Sequence, residues 1–248
     1  MFEQLQWRAR IGLITTSGQI ISEPRFNQLA PPGVTFHTTR MLNRGGGLEA
    51  LIEMEKSARR GVEELSTANI HSLAYCCTVS GALRGIEADQ EFCRDFEKDW
   101  GIPTTSTMLA AVEAMRFLGM KKIVVTSPYE DSHHVSERQY LAEAGIEAIA
   151  MVGMGLKSGK EFSSVPPEEI YRFSLDAWDD SADGLFISCM NFDAIAVADD
   201  LEQAIGKPVI TSHTVTLWRA LALAGVDDPV PGVGRLLRES RIGVGATT

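Results

Sequence analysis

No stretch of the 248-residue chain approaches the roughly 18 uncharged apolar residues that a membrane-spanning helix needs, which argues against helical insertion in a bilayer. The opening MFEQLQWRARIG holds no apolar core long enough for a signal peptide, so a soluble, cytoplasmic protein is expected. Positive charge is scarce. The 23 Lys+Arg stand against 33 Asp+Glu, a formal net charge of −10, and a nucleic-acid groove would need clustered Lys and Arg. Cysteine is sparse too: Cys76, Cys77, Cys93 and Cys189 contain one adjacent pair and no second, which fits neither a zinc ribbon nor a small disulfide scaffold. Free thiols in a reducing compartment are expected. His133 and His134 point about 100° apart on a helix and have no evident third ligand, so they are read as a surface helix start. The glycines of Arg44-Gly45-Gly46-Gly47 and the Lys157–Lys160 region lack the strand-GxxxxGK[ST] context of a nucleotide loop. No metal site and no nucleotide loop is expected.

What is present is alternation. Short β-branched runs at 10–15, 34–39, 71–75, 102–105, 122–127, 147–152, 184–188 and 208–212 read as strands. Between several of them lie helical patterns at Leu48–Leu65, Thr107–Leu118, Ser136–Ala144, Pro167–Trp178 and Phe192–Ile205. Strand, helix, strand at this spacing implies right-handed crossovers and a largely parallel sheet. The unbroken apolar runs IVV and GLFI suit strands covered on both faces.

The two halves resemble each other. Thr15 ends the first strand and Thr126 nears the end of its later counterpart; Cys77 lies 77 − 15 = 62 positions after the one, Cys189 lies 189 − 126 = 63 after the other. Each cysteine directly follows an apolar strand and precedes a proline-led one. Duplication of one α/β unit is the simplest source of that spacing. It gives two similar doubly wound, flavodoxin-like lobes with parallel sheets related by a pseudo-twofold axis and an active site between them. Residues 1–106 with 214–248 form the lobe that carries Cys77, and 107–213 the lobe that carries Cys189. Ligands of open parallel sheets sit beyond the carboxyl ends of the strands, where both cysteines fall. Two thiols facing one small substrate act as acid and base on opposite faces of a carbon, or as nucleophile and proton carrier. Cys76 should point into the sheet, since side chains alternate, and Cys93 should simply pack.

At these residues the sequence resembles the aspartate/glutamate racemase superfamily, and within it the maleate cis–trans isomerase and arylmalonate decarboxylase branch. The likeness is carried by RIGLITTSGQIISEP, Cys77-Thr78, VTSPYEDS around Tyr129, Ser188-Cys189-Met190-Asn191 and PVITSHTVTLWRALALAGV. The resemblance implies a cofactor-independent enzyme acting beside a carboxylate. In its isomerases the first cysteine adds to the double bond, a role that falls here to Cys77, while Cys189 handles the proton. Tyr129 and Thr78 would bind a substrate carboxylate, with Gln19, Met190, Asn191 and His213 as further candidates for the pocket; Thr15, Thr16 and Ser17 would either hold a carboxylate through hydroxyls and N–H groups or simply cap a helix. The decarboxylases usually carry Gly at the first site, so two cysteines favour an isomerase or racemase.

Two departures stand out against that pattern. Gln19 replaces an Asn that follows the first strand in the isomerases, and His213 stands where an Asn is common near the last strand. Maleate-to-fumarate isomerisation is the expected activity. The alternatives are a two-cysteine racemase of an amino acid or hydantoin, a malonate-type decarboxylase, and a non-catalytic carboxylate-binding protein. A homodimer is expected from the resemblance alone. The loop around Gly45–Gly47 would serve as a lid beside the cleft.

Overall fold

The computed structural model describes residues 5–43 and 48–239, and among them eight parallel strands form two sheets. β1 (Ala9–Thr16), β2 (Val34–Met41), β3 (Ser72–Cys76) and β4 (Thr104–Ser106) form the first, in the order β2-β1-β3-β4. β5 (Lys122–Ser127), β6 (Glu147–Gly153), β7 (Gly184–Ile187) and β8 (Val209–Thr211) form the second, in the order β6-β5-β7-β8. The order is the same in both, as a duplicated α/β unit requires. The described helices are α1 (Ser22–Leu29), α2 (Leu48–Lys56), α3 (Ala58–Ser66), α4 (Thr78–Arg84), α5 (Ile86–Trp100) and α6 (Thr107–Phe117) in the first half. α7 (Asp131–Glu143), α8 (Gly159–Ser164), α9 (Pro167–Asp176), α10 (Ala198–Ile205), α11 (Ser212–Leu223) and α12 (Arg235–Arg238) follow. No described helix is long and apolar enough to cross a membrane.

Alternation along each strand divides the interior into three apolar clusters. Leu13, Ala74 and Cys76 of the first sheet, and Val125, Phe186 and Ile210 of the second, face one shared core with Met108 and Ala111 of α6 and Leu217 and Trp218 of α11. The opposite faces feed outer clusters: Ile14, Leu73, Tyr75 and Cys77 on one side, Val124, Leu185, Ile187 and Cys189 on the other. The β-branched runs are therefore covered on both faces, which is why they lack a polar alternate. α6 follows β4 as α11 follows β8, and the two helices join through a Thr107–Thr216 hydroxyl pair at 3.0 Å.

Several elements differ from their sequence patterns for local reasons. The helical pattern at 48–65 is broken into α2 and α3, because the Ser57 hydroxyl and N–H both return to the Met54 carbonyl, at 2.6 and 3.1 Å. That side chain offers the backbone a turn in place of helix. The pattern at 208–212 ends as strand at Thr211, where a capping box with Thr214 starts α11. The pattern at Phe192–Ile205 becomes helix only at Ala198, after a 3₁₀ turn at Ala194–Ala196. Here Asp193 is held by Arg25, with Nε–Oδ1 and Nη2–Oδ2 at 2.8 and 2.6 Å. The Arg44–Gly47 loop read as a lid lies outside the described residues.

Candidate active site

Both cysteines are placed by strand register at the carboxyl edges of the sheets. Thr15 pairs with Cys76, so Cys77 is the next residue out and becomes the N-cap of α4. Thr126 pairs with Ile187, and Ser188 intervenes before Cys189. That extra residue is the difference between spacings of 62 and 63, and Cys189 absorbs it at φ +132°. A non-glycine residue in that region is strained, and such strain persists where the surroundings enforce it.

The two thiols are bridged by protein atoms. Ser212, the first residue of α11, has its hydroxyl 3.1 Å from the Thr78 hydroxyl and accepts the Cys189 N–H at 2.9 Å. The Cys77 sulfur accepts the Ser80 hydroxyl at 3.2 Å. The Cys189 sulfur accepts the Asn191 N–H at 3.3 Å and the Tyr129 hydroxyl. Cys77 is 8 % exposed and Cys189 4 %. Burial raises Cys77, opposed by the Ser80 hydrogen bonds and the Arg84 guanidinium. Burial pushes Cys189 up to about 12 despite its two donors, so it holds its proton at neutral pH. An ionised Cys77 would further disfavour the ionisation of Cys189.

Tyr129 is fixed from below. Its N–H donates to the Ser127 hydroxyl at 3.2 Å, and that hydroxyl is 2.8 Å from His134 Nε2. Its ring stacks on His133 at 5.3 Å and meets Phe162 edge-on at 5.4 Å. Gly153 is required beside it, since a Cβ there would lie 2.1 Å from the Tyr129 carbonyl oxygen. Burial, then the neighbouring Cys189, holds the Tyr129 hydroxyl well above the usual tyrosine range, so it stays a donor. The surface reading of the histidine pair is corrected here. α7 does begin at Asp131, but His134 is buried because it is turned onto Ser127.

The remaining sequence-derived residues divide into two groups. Gln19 is buried, and its Nε2 donates to the Cys76 carbonyl at 3.2 Å, one residue from Cys77. Met190 is buried; its carbonyl accepts the Ser22 hydroxyl at 3.1 Å. Asn191 spends its amide on neighbouring backbone, accepting from Ile20 N–H at 2.9 Å and donating to the Gly18 and Gly159 carbonyls at 3.4 and 2.8 Å. It latches the Gly18–Ile20 loop of the first half to the second. Thr15 and Ser17 are turned to β2 and its exit: the Thr15 hydroxyl to the Thr39 carbonyl at 3.5 Å, the Ser17 hydroxyl accepting the Asn43 N–H at 3.0 Å. Thr16 contributes its carbonyl to the Gln19 N–H at 3.0 Å. His213 is fully buried and edge-on to Phe26 at 6.0 Å. Burial lowers it to about 4, although Asp193 and the Met190 backbone favour its charged form. It is a neutral ring at neutral pH.

Sequence reasoning did not single out Ser212, Ser80, Ser127 or His134 as site-building groups. Ser80 was within reach, lying one helical turn after Cys77. Ser212 was not, because nothing local distinguishes a serine at a helix start from a plain cap.

The family model for arylmalonate decarboxylase matches residues 40–237. The chain belongs to the arylmalonate decarboxylase family. Within reach of this family stands the maleate isomerase of Alcaligenes faecalis, 25% identical over 242 residues that cover 92% of this chain and 96% of that protein. The arylmalonate decarboxylase of Bordetella bronchiseptica is 23% identical over 197 residues, covering 78% of this chain and 81% of that one. Among solved structures, a mutant of the Nocardia farcinica maleate cis–trans isomerase with a covalently bound succinylcysteine intermediate superposes with a TM-score of 0.87 at 23% identity, covering 93% of this chain and 98% of that one. That likeness fixes the fold of this family member as two parallel α/β sheets with interleaved helices, as the sequence led one to expect.

Proposed function

We propose that this chain is a cofactor-independent cis–trans isomerase of a small unsaturated dicarboxylate, with maleate as substrate and fumarate as product. The observation that carries this reading is the pair of thiols, one beyond the carboxyl edge of each sheet and joined through Thr78 and Ser212. Burial raises both thiols, Cys189 to about 12, and at Cys77 a hydroxyl donor and a guanidinium work against that rise. A thiolate is the nucleophilic form and a thiol the acid.

In the proposed cycle the Cys77 thiolate adds to one alkene carbon, forming a C–S bond and shifting the π pair toward the adjacent carboxylate. Cys189 donates its proton to the neighbouring carbon, which leaves a succinyl thioether. The former double bond is now single and rotates. The Cys189 thiolate then takes back a proton, the double bond re-forms in the trans geometry, and the C–S bond breaks to return the Cys77 thiolate. Thr78 and Tyr129 present hydroxyls beside the two sulfurs for the carboxylate charge that grows during addition. The succinylcysteine carried by the Nocardia farcinica protein is the intermediate such a cycle needs. A malonate decarboxylase would use one proton donor and leave Cys77 idle.

Proton NMR of purified protein with maleate tests the reading. Fumarate is expected to appear with the native protein and to be lost with Cys77→Ala and with Cys189→Ala. Maleate left unchanged by the native protein would contradict it. Solvent deuterium entering the α-position of an amino acid would move the assignment to a racemase.

A further inference from the structure

Cys77, Ser80 and Arg84 are spaced i, i+3, i+7 from the N-cap of α4, which lines them along one face of that helix. The Ser80 hydroxyl donates to the Cys77 sulfur at 3.2 Å. Arg84 is buried at the far end, its side chain 12 % exposed. It is held rigidly: Nε and Nη2 lie 3.0 and 2.8 Å from Asp89 Oδ1, Nη1 pairs with Glu55 Oε1, and its guanidinium carbon sits 4.1 Å from the Phe92 ring centre and 4.8 Å from that of Tyr75. Asp89 is in turn saturated by the Ser106 and Tyr140 hydroxyls. Burying one cation with two carboxylates is a poor way to gain stability alone, since desolvation offsets most of the attraction.

We propose that Ser80 and Arg84 are positioning residues that ease the ionisation of Cys77 against its burial, with Glu55 as the counterweight that opposes them. The proposal rests on the isomerase reading in taking Cys77 as the nucleophile. The groups that face this sulfur are Ser80 and Arg84 from α4, Glu55 from α2, Tyr75 and Cys76 from β3, and Tyr129 and Cys189 from the second half. Ser80 and Arg84 favour the thiolate; Glu55 and burial oppose it. The two tyrosines stay protonated, both raised well above the usual range by burial. Removing Ser80 and neutralising Glu55 should therefore shift Cys77 in opposite directions, which a general loosening of the fold would not do.

The test is the rate of Cys77 alkylation by iodoacetamide from about pH 6 to 10, localised by fragment-ion mass spectrometry, in the native protein and in Ser80→Ala, Arg84→Gln and Glu55→Gln. Ser80→Ala is expected to move the midpoint up by about one pH unit, making alkylation at pH 7 roughly tenfold slower. Arg84→Gln should move it the same way and Glu55→Gln the opposite way. Cys76 and Cys93 report on folding, because their alkylation rises only if the buried core opens. Should Arg84→Gln fail to fold, the Ser80 and Glu55 pair still decides the matter. Midpoints that stay put, or that move together in those two variants, overturn the proposal. Alkylation needs no substrate, so opposed shifts in a protein that leaves maleate untouched would keep this device and refute the isomerase; maleate turnover with unmoved midpoints would do the reverse.

Discussion

Cys189 combines a buried thiol, two hydrogen-bond donors and a backbone at φ +132°. Strain of that kind costs about 1–3 kcal/mol and spares only glycine. The usual order of stability, alanine above glycine by about 0.5–1 kcal/mol, should therefore be reversed at this position. Cys189→Gly is expected to unfold at higher urea than Cys189→Ala, although neither should turn over substrate. An alanine variant clearly more stable than the glycine variant would show that the turn is relaxed. At this scale the sequence was informative where chemistry and register coincide: two cysteines just beyond paired strands had few other places to be. It was silent on Ser212 and Ser127, whose importance comes from what lies across from them, Thr78 and Cys189 in one case and Tyr129 and His134 in the other.

The elements were legible in proportion to how much of their pattern is local. Buried strands of β-branched residues identify themselves, and β5 spans the same residues as its run, 122–127. α4, with the sequence TVSGALR, has β-branched residues and a glycine that argue against helix. It forms because it is packed, with Gly81 letting Met108 and Asp89 within about van der Waals reach. The Gly18–Ile20 loop looks unstructured in sequence, yet it is closed over the second half by two bonds of Asn191, whose partners Ile20 and Gly18 lie 171 and 173 positions away, while a third bond holds the same amide to Gly159. No window along the chain contains that information. The turn at Ser57 and the strand end at Thr211 are side-chain decisions of the same kind, made by one hydroxyl against a continuing pattern.

For the whole molecule, the formal charge of −10 sets the problem of admitting an anion. The neighbourhood of the thiols supplies hydroxyl donors and the buried Arg84, while Arg40 lies near the Gly18–Ile20 loop, donating to the Ser17 and Gln19 carbonyls at 3.3 and 2.6 Å. One buried acid has a global consequence. Burial pushes Glu137 up to about 7 from an ordinary 4.5, with Ser188 opposing. Below pH 4.5 the carboxyl is protonated in both folded and unfolded chains and costs nothing. Between 4.5 and about 7 the unfolded chain ionises while the folded one does not, so stability falls as pH rises, by up to about 3 kcal/mol. Glu137→Gln is expected to match the native protein in urea unfolding near pH 4.5 and to exceed it increasingly up to pH 8. A gap independent of pH would mean that Glu137 is not held protonated.

The central claim is that Cys77 attacks and Cys189 manages the proton. Incubating Cys189→Ser with maleate and mapping the protein by mass spectrometry tests it most directly. A population heavier by one molecule of maleic acid, joined as a thioether to Cys77, is expected. Unmodified protein, or an adduct on another cysteine, would contradict it.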